Sequence, residues 1–236
     1  MQLLQRSPAL LKARLDFELF DDFLWYISPH LWTSLVADTG STCAIDADGV
    51  GGIVQLGTDT TDNDETCLAS TNELALFAAD KPFYAECRLQ YTELTGNAAN
   101  VAFGFADALG ADQITDNGGA AAINSSGALI YKLDGGTVWR CNSENNAVAT
   151  DTVGIQTAGG ASYQTLAIEV VPVDATNVEI TYFVDTRPIT DSRNRPIKHT
   201  VAYASATEMD FGVYMKTGTT EALTVNVDYI YFARRR

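Results

Sequence analysis

The chain has 236 residues, 46% of them hydrophobic, and a formal net charge of −15. That is enough apolar material for one sizeable core, yet no apolar run approaches the roughly 20 residues that a membrane-spanning helix needs. An acidic body repels nucleic acid and anionic membranes, so neither is expected as a partner.

Ser7-Pro8 ahead of Ala9–Leu15 is a helix start: serine caps, and proline suits the first helical position. Arg6, Pro8, Lys12 and Arg14 interrupt the apolar residues here, so the segment does not read as a secretory signal. Residues 1–16 are expected to be a short helical arm. An isolated helix of this length is marginal in water, so it packs on its own domain or orders on a partner.

Phe17–Tyr26 (FELFDDFLWY) alternates only loosely and gives a first strand or a bridge into it. Leu31–Val36 follows Pro29, and turn chemistry at Asp46–Gly49 and Gly51-Gly52 precedes a short strand at Ile53–Leu56. Thr58–Glu65 is a polar loop, followed by Cys67–Ser70 and Leu74–Phe77.

Pro82–Leu94 and Asn100–Asp107 are the centre of the pattern. Phe83, Ala85, Cys87, Leu89 and Tyr91 share one face, and Tyr84, Glu86, Arg88, Gln90 and Thr92 share the other, the period of a half-buried strand. In Val101–Phe105 small Ala102 and Gly104 alternate with bulky residues, which predicts a second face closely covered by a crossing loop.

Leu109–Ser126 has no periodicity and reads as a long surface loop. Ala128–Leu133 and Thr137–Cys141 flank Asp134-Gly135-Gly136, a hairpin signal, and a second loop is expected over Asn142–Ser162. Tyr163–Val173 and Val178–Asp185 form a further hairpin across Asp174–Asn177. Thr186–His199 is a basic loop or arm. Met209–Lys216 and Leu223–Phe232 are the last strands, with Leu223, Val225, Val227, Tyr229 and Tyr231 expected on one face. The sum is an all-β fold: one two-sheet antiparallel sandwich of jelly-roll type over residues 17–236, with a basic C-terminal tail, behind the helical arm of residues 1–16.

Chemistry-bearing patterns are few. Cys43, Cys67, Cys87 and Cys141 form no C-x-x-C pair and are expected as buried free thiols in a reducing, intracellular setting. Acids two apart share a strand face, as glycoside hydrolysis requires, but Asp46/Asp48 lie in a turn, Asp62/Asp64 in a loop and Asp16/Glu18 beside the arm. No catalytic residues and no cofactor are expected. Asp59, Asp62, Asn63, Asp64 and Glu65 are hard oxygen donors without EF-hand spacing; they are a solvated acidic loop or a calcium loop, and the expectation is no metal. His30 and His199 read as ordinary surface or loop residues, and Trp25, Trp32 and Trp139 as core or as a sugar-stacking platform.

Residues 16–186 hold four basic side chains against 25 acidic ones, while Arg6, Lys12 and Arg14 precede them and residues 187–236 hold eight basic and five acidic. The acidic body is a solvated surface, or it faces outward while the basic ends dock on an acidic neighbour or a sister copy.

Phe20–Phe23, Gly51–Leu56, Phe83–Leu89 with Val101–Asp107, the Tyr163–Val170 and Val178–Asp185 hairpin and the closing Val227–Ile230 occur in an order that resembles the concanavalin A-like, laminin-G-like jelly roll. Thr61–Glu65, Phe77–Pro82 and Leu129–Trp139 resemble jelly-roll structural proteins of tailed bacteriophages. That likeness implies a non-enzymatic capsid cement or decoration protein on the virion head surface, assembled in the host cytoplasm. It implies the major capsid protein as partner and a homo-oligomer, with a trimer matching three-fold lattice positions. The residues expected in contact are Leu10, Leu11, Arg14, Arg193, Arg195, Arg234, Arg235 and Arg236. The alternative is a lectin-like carbohydrate-binding module of a phage fibre or tailspike. The acid-x-acid-x-x-acid strand motif of sugar hydrolases with this fold is missing.

Overall fold

A computed structural model describes residues 17–26, 28–36, 38–93, 96–116, 119–123 and 126–235. Among them the chain forms β1 (Phe17–Asp21), β2 (Trp32–Val36), β3 (Thr42–Ile45), β4 (Val54–Gly57), β5 (Glu65–Ser70), β6 (Phe83–Thr92), β7 (Ala99–Ala106) and β8 (Ser126–Lys132). It continues through β9 (Val138–Asn145), β10 (Val148–Thr157), β11 (Gln164–Pro172), β12 (Asn177–Val184), β13 (Arg187–Pro188), β14 (Lys198–Ala202), β15 (Asp210–Thr217) and β16 (Thr224–Arg234). The first sheet runs β13-β12-β11-β6-β16-β4-β3, with β1 added to β16 and β14 to β12; the second runs β10-β9-β8-β7-β15-β5-β2. The strand pairings among the described residues are antiparallel.

The fold is thus the expected two-sheet sandwich, but the expected helical arm needs correction. The described residues contain strands and no helix, and residues 1–16 lie outside them.

β6 and β7 do not pair with each other. β6 lies between β11 and β16 in one sheet and β7 between β8 and β15 in the other, so they face across the core. Phe83, Ala85, Cys87, Leu89 and Tyr91 meet Val101, Phe103 and Phe105 there, and the Phe83 and Phe105 rings stand edge to face at 4.9 Å. Phe105, Phe211 and Phe232 join them, with centroids 5.1–6.1 Å apart. Burying such rings is the main favourable term, at about 25 cal/mol per Å² of apolar surface.

The covered face of β7 is as the small residues predicted. Residues 107–116 and 119–123 cover the outside of the second sheet, and Leu109, Ile114 and Ile123 pack with Cys67, Ala69, Ala102, Ala106, Leu129, Tyr131 and Tyr214. The segment expected as a surface loop is therefore in part a lid, bonded to itself through Ala122 N–H to Gln113 O (2.8 Å). Gly104 is fixed by its own strand neighbours and not by the lid: its φ is +152°, and a Cβ would lie 2.1 Å from the Ala128 carbonyl oxygen on β8 and 3.0 Å from Ile168 Cδ1.

Three other expectations change. Asn142–Ser162 is mostly strand, the end of β9 and all of β10. Thr186–His199 carries β13 and the start of β14. On β16 a bulge at Asp228 reverses the alternation: Val227 faces Leu89, and Tyr229, not Asp228, faces Arg88. Ile230 and Phe232 then enter the core, and Tyr229 and Tyr231 turn to the outer face.

Candidate functional site

After β1 the chain reverses at Phe23, which has φ +51° and is fully buried. Asp21 fixes the reversal: its Oδ1 accepts the Phe23 N–H (2.8 Å) and its Oδ2 accepts the Trp32 Nε1–H (2.7 Å). The Phe23 and Trp32 rings pack at 5.8 Å. With Phe23 inside, Leu24 and Trp25 project into solvent, 73% and 77% exposed. Exposed Leu31 lies in the same place as Trp25, while exposed Phe20 packs on Tyr229. A recess of about 390 Å³ sits beside Trp25, lined by Asp21, Trp25, Tyr26, His30, Leu31 and Trp32.

Gly52 backs this segment. A Cβ there would lie 2.1 Å from the Asp22 carbonyl oxygen and 2.6 Å from the Leu24 nitrogen, and its φ is +84°. Gly52→Ala is therefore expected to cost about 2 kcal/mol and to displace Leu24 and Trp25. Urea unfolding and the emission wavelength of the native protein measure both; an unchanged midpoint contradicts the contact.

The outer face of the first sheet carries tyrosines on carboxylates. Tyr84 and Tyr229 donate to the two oxygens of buried Glu86 (2.5 and 2.6 Å), and Tyr231 donates to Glu18 (2.9 Å). Burial first, and then these carboxylates, push the Tyr229 and Tyr231 hydroxyls well above the ordinary phenol range. They stay protonated donors at physiological pH.

On the second sheet the lid is tied by Lys216, whose side chain is 2% exposed. Its Nζ lies 2.5 Å from Asp116, 2.9 Å from Asp112 and 3.7 Å from Glu65. Tyr214 donates to the same Glu65 oxygen that accepts the Asp112 N–H (2.5 and 2.9 Å). These carboxylates are engaged with lysine, tyrosine and backbone, not set across an open cleft.

A second group of oxygens lies where the β2–β3 and β4–β5 connections meet. Asp64 is buried beside Asp59, and the two carboxyl groups share a hydrogen bond. Burial, then Asp59, raise Asp64 to about 6, while the shared bond lowers Asp59. No group of three or more His, Cys, Asp and Glu side chains among the described residues is placed to hold a metal ion.

The expected contact residues are dispersed. Leu10, Leu11, Arg14 and Arg236 lie outside the described residues. Arg193 and Arg195 share the β13–β14 loop, where Arg195 pairs with Asp191 (2.6 Å) and Arg193 is exposed. Arg235 is exposed, but Arg234 turns inward, donating to Leu74 O (2.8 Å) with its guanidinium 5.7 Å from the Phe17 ring centre. β6, β11 and β12 separate it from β13 in the sheet order.

The acid pairs do not assemble a hydrolytic site. Asp16 lies outside the described residues, Glu18 serves Tyr231, Asp46 accepts the Asp48 N–H within its turn (3.1 Å), and Asp62 is exposed while Asp64 is buried. Cys67, Cys87 and Cys141 are buried free thiols as expected, and Cys43 is half-buried.

His30 is exposed as expected, whereas His199 is not a loop residue. It is 4% exposed on β14, against Ser143 Oγ (2.9 Å), Tyr182 OH (3.1 Å) and Thr152 Oγ1 (3.0 Å). Trp32 and Trp139 are core, which leaves Trp25 as the exposed tryptophan. The signal for the Trp25 surface was the excess of aromatics in FELFDDFLWY over what one strand face can bury.

No family model and no curated protein matches the chain by sequence. Solved structures match it over nearly their whole length. The endo-1,3-beta-glucanase of Streptomyces sioyaensis has a TM-score of 0.62 at 12% identity, covering 94% of this chain and 98% of its own. Lectin I-B4 of Griffonia simplicifolia, in its metal-free form, has 0.56 at 10%, covering 94% and 100%. A protein of unknown function from Shewanella oneidensis MR-1 has 0.55 at 14%, covering 97% and 94%. The fold is the concanavalin A-like, legume-lectin-like sandwich. At these identities the likeness concerns the fold alone, and it is shared by lectins and by sugar-cleaving enzymes.

Proposed function

We propose that this chain is a non-enzymatic structural protein of a phage virion, a decoration protein that docks on head subunits. The observation that carries the proposal is the outward-held Leu24–Trp25 surface. A buried Phe23 in a left-handed backbone conformation and an aspartate with both oxygens engaged keep two large apolar side chains in water. Backbone conformations of this kind are costly, and apolar side chains so displayed fit a protein interface. The lid over the second sheet agrees with a role without a substrate cleft on that face. Exposed Arg193 and Arg235 supply charge at other points, and a homo-oligomer, a trimer at three-fold positions, multiplies weak contacts.

The test is labelling. Antibody to this protein should decorate phage heads evenly, and Trp25→Ala with Leu24→Ala should abolish decoration while changing stability by less than about 0.5 kcal/mol, as expected at exposed positions. Label on no particle, or full decoration by the double variant, overturns the reading.

A second reading rests on the recess itself. Trp25, Tyr26 and His30 around about 390 Å³, with Asp21 at the wall, fit an aromatic platform for a saccharide ring. Similar structures include a lectin solved with galactose and the carbohydrate recognition domain of Emp47p. Glycan-array binding that disappears in Trp25→Ala favours this reading.

A further inference from the structure

We infer a calcium site between the β2–β3 and β4–β5 connections, formed by Asp59, Asp64, Asn63 and Ser41. Two carboxylates stand side by side here, and among the described residues no lysine or arginine forms an ion pair with either. The same two connections hold three buried oxygens that receive no N–H donor: Asp64 Oδ2 itself, Asn63 Oδ1 and Ser41 Oγ. Asp64 is 4% exposed and Ser41 7%, so these oxygens cannot be satisfied by bulk water.

The loops are built to bring them together. Asp59 lies against Gly40, the residue before Ser41, where a Cβ would be 2.3 Å from Asp59 Oδ2. Asp38 Oδ2 accepts the Glu65 N–H (3.0 Å) and locks one loop to the other. Asn63 N–H donates to Thr217 O (3.1 Å), Thr217 N–H donates to Asp64 O (2.9 Å), and Asn63 holds φ +67°.

Two carboxylates with neutral amide and hydroxyl oxygens are hard donors, and calcium accepts six to eight oxygens in flexible geometry, completing its shell with carbonyls and water. Magnesium demands a stricter octahedron and sheds water reluctantly. A zinc centre would call for nitrogen or sulfur ligands.

The test is calorimetric titration of the EDTA-treated full chain with calcium chloride, and with magnesium chloride in parallel. One calcium is expected to bind, with Kd at or below the millimolar range of modest calcium modules. At about a hundredfold excess over Kd the melting temperature should rise by about 5–10 °C. Asp59→Asn should weaken binding more than tenfold. Asn63→Gly, which tolerates the same φ and removes one donor oxygen, should weaken it while folding normally; exposed Asp62→Asn should bind as the parent does. Absence of heat and of a melting shift at about 10 mM calcium overturns the site, as does parental affinity in Asn63→Gly or equal affinity for magnesium.

Discussion

Replacing Lys216 with methionine should cost about 3–5 kcal/mol, the effect of leaving a buried carboxylate without its counter-charge. Lys216 is 1% exposed and Glu65 6%. Asp112 and Asp116 are nearer the ammonium, but their side chains are 75% and 55% exposed, so water screens most of their contribution. Burial opposes the charged lysine, and the hydrogen bonds it donates to Asp116 and Asp112 overcome that, so its pKa ends above the ordinary value. The methionine variant keeps the stem and removes the charge. Glu65 then stays under the lid, still accepting from the Tyr214 hydroxyl and the Asp112 amide. The melting temperature should fall by about 10 °C, and exchange at the Asp112 amide should accelerate. Adding Glu65→Gln should recover part of the loss, since removing both charges costs less than removing one. Losses that merely add in the double variant contradict the pairing.

Acid should destabilise the protein through His199. Burial lowers its pKa to about 4, although Asp151 pulls it upward. The ordinary value is near 6.5, so the folded state holds fewer protons than the unfolded state between those limits. The stability from the neutral imidazole is complete above pH 6.5 and is lost as pH falls toward 4. It amounts to about 3 kcal/mol across that window. Asp210, raised to about 6 chiefly by burial, works in the opposite direction over part of the same range. A comparison with His199→Gln removes that contribution, because Asp210 titrates in both proteins. The difference in unfolding free energy between parent and variant should shrink by about 3 kcal/mol from pH 7 to pH 4. A difference that does not change with pH would show that the imidazole takes its proton without strain.

Much of the sandwich was legible because it follows period two. Phe83–Tyr91 and Val101–Phe105 place their bulky residues inside, and Ala102 announced a covering segment. Asp134-Gly135-Gly136 and Asp174–Asn177 turn where their chemistry required. The covering segment itself was illegible: Leu109, Ile114 and Ile123 are spaced irregularly, since they fit a ready-made floor and not a periodic element. β10 was missed because Val148 falls on the opposite parity to Val153 and Ile155, which breaks the alternation, on an edge strand that stays largely exposed. His199 was missed because its partners Ser143, Tyr182 and Thr152 come from three other strands. The Trp25 surface depends on the sign of one backbone angle at Phe23, which residue type does not reveal.

The single extra residue at Asp228 has an evolutionary corollary. It switches parity within one strand, so that even-numbered Ile230 and Phe232 take over the inward role held by odd-numbered Val225 and Val227. A relative lacking that residue would need aliphatic and aromatic positions exchanged along the rest of the strand to keep the same core. Two such sequences, aligned column by column, would mismatch throughout the segment while tracing one backbone path. Structures of the same fold share only 8–14% of their residues with this chain, so a parity switch of this kind is invisible to a column-by-column comparison with them.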